Sequence, residues 1–455
     1  MRRILKRITI LLLSSVYTIP AFSQAVLDDY IKQGLENNLL LKEKKGDLDK
    51  SLVALKEAKS LFLPTTWFET QYTLASGGRT IDIPVGDLMN PVYQTLNQLT
   101  SSNMFPKISN VSEQLTPNNF YDARIKTTLP LINPDIHINR DIKEQQITLQ
   151  QNEIDTYRRE LVKEIKTAYY NYLMATKAIG IYQNALEVVK ENVRVNRSLL
   201  NEGKGLYAYV SRAESEVSAV EAQLQTAKNE QQNARAYFNF LLNKPLQENV
   251  AVTDYEMTAS LLNDLSSTDS NTVIKREELK SLQLAGDITN NVLKMNKSFR
   301  TPRLNTFLDL GSQGYQFKVN DKSLFYLAGL QLQIPIFSGK RNLYKIEQTQ
   351  IDLKNLAAKT SNTQKQLELA AFVSRNNAMN AYNNYLSAIK QQEAAQSYFK
   401  LIDRGYKEGI NNFIEMLDAR SQLTNSQLQV NITTYKFLSE LADYERQTAS
   451  YTFNQ

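Results

Sequence analysis

Few side chains in this chain are both able to do chemistry and spaced to do it. The one histidine, His137, lies between Asp135 and Asp141. That spacing is not a metal-ligand pattern, and a solvated histidine is the plain reading. Cysteine is absent, which removes thiolate metal sites, disulfides and the acceptor of a thioether lipid. No glycine-rich phosphate loop and no nucleophile elbow occurs. Two carboxylates stand out. Glu415 and Asp418 sit one helical turn apart and can share a face. Taken alone they read as a solvated helix surface. These residues describe a chain that is not an enzyme and calls for no cofactor or metal.

The elements that would position such a surface are written twice. Each half has two alternating stretches that read as β-strands, a proline-containing exit, and a long helical hairpin with a glycine at its tip. Leu129-Pro130-Leu131 and Gly205-Leu206 mark exit and tip in the first half. Ile334-Pro335-Ile336 and Gly409-Ile410 do so in the second, at offsets of 205 and 204 residues. A repeat this large is no solenoid unit but a duplicated half-architecture. The first repeat spans about 26–243, with a leading helix over 26–62 and strands near 65–74 and 120–131. A connector rich in Asn, Ser, Thr and Asp covers about 244–275, and the second repeat spans about 276–453, with strands near 303–312 and 324–337. Residues 75–119, rich in Gly, Pro, Asn and Ser, read as a long loop with no counterpart in the second half.

In the clearest strand Tyr121, Ala123, Ile125, Thr127, Leu129 and Leu131 alternate with Asp122, Arg124, Lys126 and Thr128. In the last strand Tyr326, Ala328, Leu330 and Leu332 alternate with Leu327, Gly329, Gln331 and Gln333. A soluble sandwich would turn the apolar face to a core, and a transmembrane barrel would turn it to lipid. One strand alone favours the sandwich. The helices decide more. Leu161, Ile165, Ala168, Tyr172, Ala175, Ile179, Tyr182, Leu186, Val189 and Val193 advance by steps of 4 and 3. That strict heptad implies a left-handed supercoil. The helix, roughly 138–200, would be about 95 Å long. Its return helix runs to about Leu242, and a second hairpin covers about 341–404 and 413–450. Bacterial barrels begin at about eight strands, so four strands call for an oligomer, and a conduit calls for at least three copies.

Residues 1–23 read as an export signal: Arg2, Arg3, Lys6 and Arg7, a short apolar core over 8–17, and the small-x-small site Ala21-Phe22-Ser23. Without those four basic residues the formal charge falls from +6 to about +2, so the basic balance argues for no nucleic-acid partner. No later stretch is apolar enough for a membrane helix. Trp67 and the tyrosines near strand ends suit an interfacial aromatic girdle.

Several short stretches, in order and in duplicate, resemble the TolC-like outer-membrane efflux protein family. They are Leu35-Glu36-Asn37-Asn38, Leu63-Pro64, Gln333-Ile334-Pro335-Ile336-Phe337 with Ser338-Gly339-Lys340, and Tyr406-Lys407-Glu408-Gly409 running on to Phe413-Ile414-Glu415-Met416-Leu417-Asp418-Ala419. The resemblance covers nearly the whole chain after the signal. It implies a mainly α protein with a membrane β-barrel contribution: a homotrimeric conduit with a twelve-stranded barrel in the outer membrane of a Gram-negative bacterium and a helical barrel extending into the periplasm. Implied partners are a periplasmic adaptor (membrane fusion) protein, an inner-membrane pump of the RND, ABC or MFS type, and outer-membrane lipid.

The same resemblance implies roles for single residues. The lipid-facing strand positions include Tyr121, Ala123, Ile125, Leu330 and Leu332. The constriction carboxylates fall on Glu415 and Asp418, six charges in a trimer. A gate tyrosine falls on Tyr406, its acidic partner on Ser211, and a basic latch position on Asn411. These departures imply a gate with fewer ionic contacts. Gly205, Leu206, Gly409 and Ile410 match the adaptor-docking tips. The competing class is an exported periplasmic or surface coiled-coil adhesin, which explains the export signal and heptads but neither the paired strands nor the duplication. Cargo stays open between drugs, metal cations and a secreted polypeptide. The 75–119 loop is expected outside the cell, partly across the outer mouth.

Overall fold

The computed structural model describes residues 19–253, 265 and 275–453. The expected export signal therefore lies largely outside the described residues, as does most of the connector. The elements in chain order are α1 (Ile19–Asn37), α2 (Leu39–Ser60), β1 (Thr65–Thr73), β2 (Thr80–Ile83), α3 (Val85–Thr100), β3 (Val111–Gln114), β4 (Phe120–Ile132), α4 (Pro134–Asn201), α5 (Tyr207–Leu241), α6 (Glu277–Lys297), β5 (Arg303–Tyr315), β6 (Leu324–Gln333), α7 (Arg341–Lys407) and α8 (Phe413–Thr448). They form two compact units. One draws on the described parts of 1–52, 145–290 and 351–455, the other on 53–144 and 291–350.

The first unit is helical, and its core follows the heptads. Leu161, Ile165, Ala168, Tyr172, Ala175 and Val189 of α4 are buried, as are Ala213, Val220, Leu224 and Ala227 of the returning α5. In α7 the buried seam is made of alanines, Ala378, Ala381, Ala388 and Ala395, small enough to let neighbouring helices approach closely. The leading helix is not continuous. It breaks at Asn38, whose side-chain Oδ1 accepts from the Leu41 N–H at 3.0 Å and so caps α2. The same Oδ1 accepts the Tyr157 hydroxyl, and Nδ2 donates to the Leu241 carbonyl. The described part of the connector supplies core residues: Val250 joins the main cluster, and Leu265 packs with Ala378, Ala381, Phe437 and Tyr444. The Leu265 carbonyl accepts from Arg375.

The second unit is built on a four-stranded antiparallel sheet of order β1-β4-β5-β6. Pro130 sits in β4 just past Thr128, the last residue paired with β1, so its missing N–H faces no partner on that side. α4 begins at Pro134, a first-turn position that suits proline, and Asn133 accepts the Asp135 N–H.

Residues 75–119 are not the plain loop their composition suggests. β2 and β3 pair as a two-stranded ribbon, and α3 lies between them in sequence. Side-chain amides pin the helix to its return segment. Asn90 exchanges two hydrogen bonds with the backbone of Ile108, and Asn97 does the same with Phe105. Gly86 completes this face, since a Cβ there would stand 2.6 Å from the Ile108 carbonyl oxygen.

Candidate functional site

The helical tips are built by hydrogen bonds that the sequence only partly advertises. At the second tip Gly409 has φ +79°, its N–H donates to the Tyr406 carbonyl, and the Ile410 N–H donates to the Gly405 carbonyl at 2.7 Å. This is a Schellman ending with glycine in the left-handed position. The first tip repeats it at Gly203, φ +71°, with Gly203 and Lys204 donating to Leu200 and Leu199. The structural equivalent of Gly409 is therefore Gly203, not the expected Gly205. Gly205 serves a close crossing instead, where a Cβ would lie 2.8 Å from the Leu200 nitrogen. At the second tip the glycine of the crossing is Gly405, and Asn411 lies against it. Leu206 and Ile410 are both exposed.

α8 then starts with a full capping box. Asn412 Oδ1 accepts the Glu415 N–H at 2.9 Å, and Glu415 Oε2 accepts the Asn412 N–H at 3.2 Å. Asn411 Nδ2 also donates to Glu415 Oε2, at 2.9 Å. The Asn411 and Asn412 bonds hold the Glu415 carboxyl below the ordinary glutamate range. Asp418, one turn on, is exposed and accepts from Gln422. The two carboxylates thus differ: Glu415 caps its own helix, while Asp418 is bonded only along its helix.

The Tyr406 hydroxyl does not meet Ser211, which is exposed. It donates to Asn196 Oδ1 at 3.1 Å, joining α7 to α4. Asn196 and its neighbour Asn192 are both buried in α4. The partner of Tyr406 is thus an amide on the other arm of the first hairpin. Sequence reading also missed an ionic contact. Arg420 of α8, almost wholly buried, reaches Glu216 of α5 at 3.1 Å, and Arg212 approaches Glu216 from the other side. Burial draws the Arg420 guanidinium below its ordinary value, and Glu216 opposes that shift. A heptad-internal arginine on α8 was the available signal.

The sheet sorts its residues by face through its register. Phe68 pairs with Ile125, Ile125 with Leu310, and Leu310 with Tyr326. Leu304 pairs with Leu332, and Thr306 with Leu330. Partners across a sheet share a face, so these residues form one apolar surface. It is bare: Ile125, Leu330 and Leu332 are exposed, Leu330 at 68%. Ala123 is half-buried on the same face. Tyr121 departs from the expectation of an open lipid contact. It is buried, stacked on Phe317, and its hydroxyl bonds Ser312.

The opposite face carries the charges, with Trp67, Phe307, Phe325 and Leu327 among them. Arg124 stands among Glu69, Asp122 and Asp309 at 3.3–3.7 Å, and Gly311 leaves room for its side chain. His137, exposed, packs edge-on to Phe62, while Asp135 holds Arg303 and Asp141 holds Arg140. Among the described residues no metal-ligating cluster occurs.

An amphipathic sheet with two open edges and duplicated helical hairpins with glycine-ended tips are the parts of a protomer of a strand-and-hairpin channel. The comparisons agree. The chain belongs to the outer membrane efflux protein family, whose model matches residues 88–244 and 271–443. It is 22% identical over 453 residues to the outer membrane protein TolC of Escherichia coli (strain K12), covering 95% of this chain and 84% of that protein. Among solved structures it resembles the outer membrane protein VceC of Vibrio cholerae, with TM-score 0.72, 12% identity, and coverage of 93% of this chain and 96% of that one. It also resembles the open-state MtrE channel of Neisseria gonorrhoeae, with TM-score 0.71, 14% identity, and coverage of 93% and 88%.

Proposed function

We propose that this protein is the outer-membrane exit duct of a tripartite efflux or secretion system, passively conducting substrates delivered by a periplasmic adaptor and an inner-membrane pump. The observation that carries this reading is the sheet. Its apolar face is uncovered, its other face holds a charge cluster, and its edge strands β1 and β6 have no outer partner strand among the described residues. An uncovered apolar sheet with open edges is untenable in water. Antiparallel order β1-β4-β5-β6 lets β6 of one copy pair antiparallel with β1 of the next, and three copies give a barrel wide enough for a lumen. The helices ask for copies too, since Phe372, Met379 and Leu386 form an exposed heptad line on α7. The homotrimer is therefore part of the proposal, with the barrel in the outer membrane and the helices in the periplasm.

In this reading Glu415 and Asp418 ring the periplasmic constriction, and the Gly203–Leu206 and Gly409–Ile410 tips meet the adaptor. The Tyr406–Asn196 and Arg420–Glu216 contacts tie the two hairpins of one chain together near the tip. Opening would break them. The insert at 75–119 lies outside the cell. The reading is tested by extracting the protein with detergent and running it unboiled. A heat-sensitive trimer that conducts in planar bilayers is expected, and a water-soluble monomer without membrane affinity overturns it.

A further inference from the structure

The insert carries a surface that the duct does not use. In α3 the face bearing Gly86, Asn90 and Asn97 is clasped to the return segment. On the opposite side Leu88, Val92, Thr95 and Leu99 advance by steps of 4, 3 and 4, and all four are exposed, Leu99 at 77%. Such a stripe has the spacing of a short coiled-coil seam. The helix holds a single charged residue, Asp87, and that carboxylate is taken up by Asn110. A helix lying on a membrane surface would carry Lys and Arg along its polar side, so lipid headgroups are a poor match.

We infer that the α3 seam packs against the α3 seam of neighbouring copies of this same chain. This rests on the trimeric reading above. Three observations carry it. The seam has the spacing of self-associating helices. It lacks the charge that would suit lipid or water. It also extends a hairpin whose outer strand meets another copy in that trimer, because the β1–β4 pair continues into the insert. Tyr72 bonds Asn119, the Ala75 N–H donates to Asn118, Gln114 donates to the Gly77 carbonyl, and the Leu115 N–H donates to the Arg79 carbonyl. β1 is an open edge, so a copy that pairs with it comes within reach of α3. Threefold symmetry makes the three α3 helices equivalent, and helices that converge along the axis meet parallel at identical positions.

The natural absence of cysteine makes the test direct, because a single introduced thiol can be bridged only between copies. Leu99→Cys and Val92→Cys are placed on the seam, and Gln94→Cys on the clasped side serves as the control. Each is treated in membranes with a short bifunctional maleimide. Seam variants should give a covalent dimer several-fold more abundant than the control, limited to about two-thirds of chains because three equal thiols leave one over. Seam variants that run as unboiled trimers but cross-link no more than Gln94→Cys overturn the inference and leave the duct standing. Loss of the trimer in the unmodified chain overturns the duct reading itself. Val92→Trp fluorescence quenched by brominated lipid would show that lipid covers the seam, and overturns the inference as well.

Discussion

At the residue scale, Glu415 is asked to do two things. It closes the capping box of α8, and in the proposed duct it supplies charge to the constriction. Substitution by alanine would confuse the two, since removing the box frays the tip. Glutamine can keep the box, because its side-chain oxygen still accepts the Asn412 N–H. Glu415→Gln with Asp418→Asn should therefore reduce cation preference in planar bilayers while the trimer keeps its thermal midpoint. Unchanged reversal potentials would place both residues away from the lumen.

The pH dependence has a definite sign. The Glu415 carboxyl is held below the ordinary value of 4.5 by its hydrogen bonds, so its charge and its cap are both present above that pH. Both are lost as pH falls through the lowered folded-state value. In an Asp418→Asn background cation preference should thus persist as pH drops past 4.5 and vanish only below it. Loss of preference already above that pH would mean the cap does not form. The sequence showed Glu415 as one of two equivalent carboxylates. It could not show that Asn411 and Asn412 single one of them out, because capping geometry depends on where α8 begins.

At the scale of elements, what was legible is what local periodicity dictates. The heptads of α4 and α5 gave the buried seam almost residue by residue, and the alternation near 120–131 gave β4. What was not legible depends on tertiary partners. The break at Asn38 interrupts an apolar pattern that runs through it, and only Leu241 and Tyr157 explain why the amide is worth burying there. The helix α3 was hidden by Pro91 and by the many asparagines around it, residues that signal loops in isolation but here clasp a backbone. Tyr406 bonds Asn196 rather than the expected Ser211 because the amide sits on the other arm of the first hairpin.

Asn38 offers the clearest test at this scale. Asn38→Ala removes the cap of α2 and leaves the buried Leu241 carbonyl without its donor, and should cost about 2–3 kcal/mol. It should appear as a lower thermal midpoint of the detergent-solubilised trimer. Tyr406→Phe removes one neutral hydrogen bond to Asn196, worth about 1 kcal/mol. Arg420→Ala strands the largely buried Glu216 beside the exposed Arg212 alone. Combining Tyr406→Phe with Arg420→Ala should raise single-channel conductance above either change by itself. Conductance equal to the unmodified protein in all three would show that neither contact restrains the tip.

At the scale of the whole molecule, two adjacent residues of β6 separate a membrane barrel from any soluble arrangement. Leu330 and Gln331 lie on opposite faces of the same strand, Leu330 paired with Thr306 and Gln331 with Asn305. In the barrel the first meets hydrocarbon and the second meets water in the lumen. An arginine on the lipid side costs about 2–4 kcal/mol near the bilayer midplane, and one on the lumen side costs little. Three copies multiply the first penalty, because every protomer inserts the same charge into the same belt. Leu330→Arg should therefore sharply deplete heat-sensitive trimer from the outer-membrane fraction. Gln331→Arg should assemble normally and shift ion selectivity toward anions. A soluble sandwich would turn Leu330 into its core and would also reject Leu330→Arg, but it has no conductance, so the shift in ion selectivity of Gln331→Arg is what separates the two. Equal assembly of the two variants would mean that the apolar face meets something other than lipid, and the four strands would have to be placed in a different assembly.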